Sequence, residues 1–229
     1  MSIIQAKNIY KTYNETNIPV HALNGVDLEI EKGEFTAIVG PSGSGKTTLL
    51  NIIGGLDLPT EGDIFIEGTN LKSLSSRQLI DFRLHNIGFV FQSYNLIPVL
   101  TALENTEFIL ELQGVHKKER EKRAMEILET VDIGDKRDHK PGQLSGGQQQ
   151  RVAVARALAS QPKYIIADEP TANLDSKSTE ELLMLMKKMN EKFQTTFVFA
   201  THDQRVMDKA RRIVTIEDGK VVKDETFER

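Results

Sequence analysis

"FTAIVGPSGSGKTTLLNII", residues 35–53, passes from an apolar run through a glycine-rich turn into a helix-like repeat. "FTAIV" is short, apolar and preceded by the turn "EKGE", so it reads as a buried strand. "KTTLLNII" reads as a helix stopped by Gly54 and Gly55. The loop between them matches G-x-x-x-x-G-K-[ST] in the strand-to-helix setting that this motif requires. Backbone N–H groups of such a loop point inward and the positive end of the helix dipole adds to them. Gly40, Pro41, Ser42, Gly43, Ser44, Gly45, Lys46, Thr47 and Thr48 therefore form a candidate cradle for phosphates. Lys46 would reach the β- and γ-phosphates, and Thr47 would give its hydroxyl to Mg²⁺.

Outward from this unit, strand-like and helix-like stretches alternate, the pattern of an α/β fold. "VDLEI" precedes the loop, and "DIFIEG", "IGFVF", "YIIA" and "TTFVFA" follow it as further strands. "RRIVTIEDGKVVKDE" closes the chain as a hairpin turned at Asp218 and Gly219. Strands vanish between residues 93 and 161. There Thr101 with Glu104, and Ser145 with Gln148, make capping boxes, and "KKEREKRAMEILETV" is a charged amphipathic helix. The expected architecture is a P-loop core of mostly parallel sheet flanked by helices, with an N-terminal antiparallel β-subdomain. The core takes residues 1–92 and 162–229, and residues 93–161 form an inserted helical subdomain.

Composition narrows the function classes. No apolar run approaches the roughly 20 residues that cross a bilayer, and residues 1–8 lack a signal-peptide pattern. The absence of cysteine excludes disulfides and thiolate metal sites. A net charge of −4 gives no support to a nucleic-acid surface. The expectation is a soluble cytoplasmic chain whose partners must be argued from its sites.

"YIIADE", residues 164–169, ends an apolar strand in two adjacent carboxylates, which repel each other unless a cation or solvent compensates. Asp168 would hold Mg²⁺, and Glu169 would accept the proton of the attacking water or orient it. Two other strands end at Gln92 and His202. In a parallel sheet the carboxyl ends face one crevice, so Gly40, Gln92, Asp168 and His202 are expected to converge on one triphosphate. Gln92 would touch Mg²⁺ or the lytic water, and His202 would donate to the γ-phosphate.

"LSGGQ", residues 144–148, puts two glycines into the first turn of a helix, where each costs about 1 kcal/mol relative to alanine. The capping box explains Ser145 and Gln148 but not the glycines. Bare backbone beside Ser145 is a second anion site, open to close approach. The two cradles serve separate ligands, or one ligand clamped between two copies of the chain.

The P-loop, Gln92, "LSGGQ", "ADEP", "NLD" (residues 173–175) and His202, in this order, resemble the ATP-binding cassette ATPases over essentially the whole chain. The resemblance implies a head-to-tail homodimer in which Ser145, Gly146, Gly147 and Gln148 of one copy close over ATP on the P-loop of the other. It also implies that Tyr13 stacks on adenine, in competition with a plain packing role at the core edge. Asn173 stands where the family usually has Ser or Ala. Residues 20–62 and 87–105 are similar to the macrolide-efflux and lipoprotein-releasing branch, which implies a membrane permease partner and a place at the cytoplasmic face of the membrane. Residues 93–110 offer the coupling surface, with Tyr94, Leu96 and Ile97 receiving a partner helix. Rival uses of the same cassette are a cell-division regulator and an ATP-driven conformational switch. DNA-repair and translation cassettes fit less well, for want of a long insertion or a second cassette.

Overall fold

The computed structural model describes residues 2–14 and 18–227. In chain order the strands are β1 (Ser2–Tyr13), β2 (Val20–Glu31), β3 (Phe35–Val39), β4 (Glu61–Ile66), β5 (Thr69–Asn70), β6 (Ile87–Phe91), β7 (Tyr164–Asp168), β8 (Thr196–Ala200), β9 (Arg212–Glu217) and β10 (Lys220–Thr226). The helices are α1 (Lys46–Ile53), α2 (Ser76–Asn86), α3 (Ala102–Leu112), α4 (Lys117–Thr130), α5 (Gly146–Ala159), α6 (Ser176–Phe193) and α7 (Gln204–Lys209).

Two sheets result. The first, in order β2-β1-β4-β5, is antiparallel and forms the N-terminal subdomain. The second runs β10-β9-β3-β8-β7-β6 and is parallel from β9 to β6, with β10 closing it antiparallel. All five residues of β3 and of β8 are buried, as expected of strands covered on both faces. Successive side chains point to opposite faces and so enter different cores. Phe35, Ala37, Phe197 and Phe199 join Val152, Leu158 and Leu183 on the α5 and α6 side. Ile38, Val198 and Ala200 join Leu49, Leu50 and Ile53 on the α1 side. The Phe35 and Phe199 rings lie 4.6 Å apart between centroids, and burying each ring contributes about 1.5–3 kcal/mol. Tyr164, fully buried, loses no hydrogen bond: its hydroxyl donates to the Ile53 carbonyl at the end of α1, 2.7 Å away.

Between residues 93 and 161 only helices stand, as the sequence predicts. α3 starts at the Thr101–Glu104 capping box and α5 at the Ser145–Gln148 box. Asn105, fully buried, accepts from the Ile97 N–H at 2.8 Å and donates to the carbonyls of Leu100 and Thr101, which pins the incoming loop onto α3. The closing hairpin turns through left-handed Asp218 (φ 46°) and Gly219 (φ 74°), the pair that such a turn demands.

Several elements are not evident from the sequence pattern. β1 hides because its alternation breaks at a bulge: the register with β2 shifts between Ala6 and Ile9, and Asn8 is left-handed. α2 buries no residue, so it carries no clean apolar stripe.

Candidate nucleotide site

Four neighbouring strands end level. Ile38 pairs with Ala200, Ala200 with Asp168, and Asp168 with Phe91, so one row crosses β3, β8, β7 and β6. The residues that follow this row include Gly40, His202, Glu169 and Gln92. The expected convergence at one sheet edge is thus a consequence of strand order and register.

The loop between β3 and α1 depends on its glycines. Gly40 (φ 149°) packs so closely that a Cβ there would lie 2.0 Å from the Ile216 carbonyl oxygen. Gly45 (φ 105°) caps α1 without a side chain, and a Cβ there would meet the Ala22 carbonyl oxygen at 2.5 Å. Gly43 (φ 79°) faces open space. The first-turn amides of α1 therefore receive no side-chain cap and remain available to an anion. Ser44 Oγ is buried and has no hydrogen-bond partner among the described residues, a polar atom that a bound group would satisfy. Lys46 Nζ donates to the carbonyls of Gly40 (2.9 Å) and Pro41 (2.8 Å), which lays the ammonium along the loop rather than out into solvent.

Thr47 Oγ1 donates to Asp168 Oδ1 at 3.3 Å, joining the loop to the acidic pair. Burial pushes the Asp168 carboxyl above its usual range, against the hydrogen bond from Thr47, and the neighbouring Glu169 charge pushes it the same way. A carboxyl raised in the fold adds stability below its unfolded value, and that stability is lost as pH rises through the raised one. A cation beside Asp168 would reverse this preference. Among the described residues no group of three or more His, Cys, Asp or Glu side chains forms a metal cage. The donors present, Asp168 with the Thr47 hydroxyl, suit an ion held largely by phosphate oxygens and water, the usual manner of Mg²⁺.

Glu169 is left-handed (φ 46°), a strained state for a side chain with a Cβ. Its N–H donates to the Ala200 carbonyl at 2.9 Å, and its carboxylate lies 2.8 Å from His202 Nδ1 and 3.4 Å from the Thr201 hydroxyl. The His202 side chain is 75% exposed and that of Glu169 only 17%, so the imidazole covers the carboxylate from the solvent side.

The second cradle stands apart. Ser145 caps α5, its Oγ accepting from Gln148 N at 3.3 Å while Gln148 Oε1 accepts from Ser145 N at 2.9 Å. No hydrogen bond joins residues 145–148 to residues 40–48 among the described residues. The two cradles do not meet within one chain. The glycines also have a reason inside the chain: a Cβ on Gly146 would lie 2.7 Å from the Tyr94 hydroxyl, and one on Gly147 3.0 Å from Ser178 Oγ. Ser145, Gly147 and Gln148 open onto a pocket of about 910 Å³ between α5 and α6.

Gln92 is exposed, and its carbonyl accepts from Asn173 Nδ2 at 3.0 Å, so the departure at Asn173 serves to tie two loops of the site. Tyr13 is held by its hydroxyl on Asp57 Oδ2 (3.0 Å), with Lys11 Nζ 4.9 Å from its ring centroid. Two residues of the site escape sequence reasoning. Gln150 is fully buried on α5, and Arg156, half-buried, donates to the carbonyls of Tyr94 and Asn95, both left-handed. Polar residues on the apolar face of α5 are the signal that would have found them.

A strand–loop–helix cradle beside an acidic pair at the carboxyl edge of a parallel sheet defines a P-loop nucleotide hydrolase. Comparison with known proteins narrows the class: residues 23–172 match the ABC transporter family. An uncharacterized ABC transporter ATP-binding protein of Thermotoga maritima is 50% identical over 96% of this chain and 93% of its own. The dimeric, post-hydrolysis structure of the ATP-binding cassette MJ0796 bound to ADP and Pi, a protein of Methanocaldococcus jannaschii, superposes with a TM-score of 0.91 at 47% identity over 99% of both chains. The lipoprotein-releasing system ATP-binding protein LolD of Legionella pneumophila is 43% identical over 95% of this chain and 96% of its own. The macrolide export ATP-binding/permease protein MacB of Brucella melitensis is 45% identical over 98% of this chain, which spans 34% of that relative. The chain belongs to the ABC transporter family, as an ATP-hydrolysing subunit.

Proposed function

We propose that two copies of this chain pair head to tail around two ATP molecules and that the resulting stroke drives a membrane permease subunit. The observation that carries the reading is the separation of the two phosphate cradles within one chain, each bearing free first-turn amides or bare glycines. That the relative MJ0796 forms a dimer bound to ADP and Pi supports such pairing.

The residues take the following roles. The amides of residues 40–48 and the Lys46 ammonium bind the β- and γ-phosphates. Thr47, Asp168 and Gln92 would hold Mg²⁺, which would supply positive charge to offset that on the phosphate oxygens. Glu169 orients the attacking water and takes its proton, and His202 holds the Glu169 carboxylate in place and faces the γ-phosphate. Ser145, Gly146, Gly147 and Gln148 of the second copy close over the same triphosphate, and Tyr13 supports the adenine. ATP joins the copies, and hydrolysis with phosphate release parts them. We assign residues 1–92 and 162–229 to the ATPase core and residues 93–161 to the helical subdomain.

The likeness to MacB and LolD supports the macrolide-efflux and lipoprotein-releasing branch and a position at the cytoplasmic face of a membrane. No helix among the described residues is long and apolar enough to cross a membrane. The partner's helix would rest on part of residues 93–110; exposed apolar side chains in and near this stretch include Val99, 71% exposed, and Leu112, 55%. Of the three residues first assigned to this contact, Leu96 packs on the main core and Tyr94 reaches the Asn173 carbonyl at 3.4 Å, which leaves Ile97 as the most informative probe. Ile97→Glu should abolish co-purification of the membrane partner while ATP affinity stays within about twofold, because burying an unpaired carboxylate costs several kcal/mol. Unchanged co-purification would place the partner elsewhere.

A further inference from the structure

Gln150 is fully buried on the inner face of α5. Its Nε2 donates to the Pro170 carbonyl at 2.8 Å and lies 3.5 Å from the Phe91 carbonyl. Its Oε1 is equally buried and has no hydrogen-bond partner among the described residues. An apolar side chain of the same volume would avoid the cost of that stranded oxygen, so packing alone does not account for an amide here.

The two carbonyls identify what the amide serves. Pro170 follows Glu169, and Phe91 precedes Gln92. Lacking an N–H, Pro170 offers only its carbonyl to be held. Ser145 stands at the head of the same helix, five residues before Gln150, about 7.5 Å along the axis. A helix transmits displacement along its length because its hydrogen bonds resist compression, so whatever seats Ser145 also seats Gln150.

We propose that Gln150 is a positioning residue that couples the Ser145 turn, which meets the nucleotide on the opposite copy, to Glu169 and Gln92 of its own site. The coupling rests on the sandwiched arrangement given under Proposed function. Closure at one nucleotide sets, through Gln150, the backbone that aims the hydrolytic carboxylate at the other. Hydrolysis is thereby confined to the closed dimer.

Steady-state ATP hydrolysis by the full chain carrying Gln150→Met, which keeps the volume and loses the donor, tests this. kcat should fall about tenfold, the size of one lost positioning hydrogen bond, with KM for ATP within about twofold of wild type. A chain with Glu169→Gln and Gln150→Met together should dimerise at the same ATP concentration as Glu169→Gln alone. Gln150→Leu, of different shape but equally without a donor, should reproduce the split between kcat and KM. Unchanged kcat, a rise in KM with kcat intact, or divergence between the Met and Leu variants would overturn the coupling. Failure of Glu169→Gln itself to dimerise would instead overturn the sandwich beneath it.

Discussion

Glu169→Gln is expected to lower ATP turnover by about 10³-fold while leaving ATP affinity within about twofold. The carboxylate lies within reach of both His202 Nδ1 and the Thr201 hydroxyl, at 2.8 and 3.4 Å. An amide fits the same space but cannot take a proton from water, so chemistry is lost and the binding surface is kept. The left-handed backbone at Glu169 supports the assignment, since strain of this kind persists where the surrounding bonds hold it, here the 2.9 Å bond to the Ala200 carbonyl. Phosphate release and calorimetric titration with ATP measure the two quantities. Turnover within tenfold of wild type would assign the proton to another group.

Lys46→Met should act on the other quantity, weakening ATP about 100-fold or more and removing turnover with it. The ammonium is the cation that the cradle itself supplies, and it already lies along the loop, on the Gly40 and Pro41 carbonyls. Its loss leaves exposed or half-exposed carbonyls that water can satisfy, so the fold should survive. Thermal melting separates folding from binding: ATP at about 100 times its Kd stabilises the wild type by about 2.7 kcal/mol, and the variant should show no such gain. A normal ATP-dependent shift in the variant would contradict the phosphate role of Lys46.

The placement of the candidate site groups was largely legible in the sequence because those groups are local. Residues 40–48 carry their function in backbone geometry, which glycine spacing announces, and α1 begins and ends where the apolar run and Gly54 place it. The level ends of β3, β8, β7 and β6 followed from the rule for parallel sheets. What escaped depends on contacts between distant segments. Gln150, on α5, meets the carbonyls of Phe91 in β6 and of Pro170 after β7, and Arg156 reaches the Tyr94 and Asn95 carbonyls across more than sixty positions. The glycines of "LSGGQ" show the same limit: the sequence suggests approach by a ligand but not the crowding from Tyr94 and Ser178. β1 was missed for a local reason, the bulge near Asn8 that shifts its apolar period.

The account turns on one physical statement: a single chain holds two half-sites that do not touch, and a shared triphosphate joins them across copies. Sedimentation velocity of Glu169→Gln in saturating Mg-ATP tests it most directly, beside the same chain carrying Ser145→Arg. A dimer for the first and a monomer for the second is the predicted outcome. A monomeric Glu169→Gln chain, or a dimer indifferent to Ser145→Arg, would contradict it.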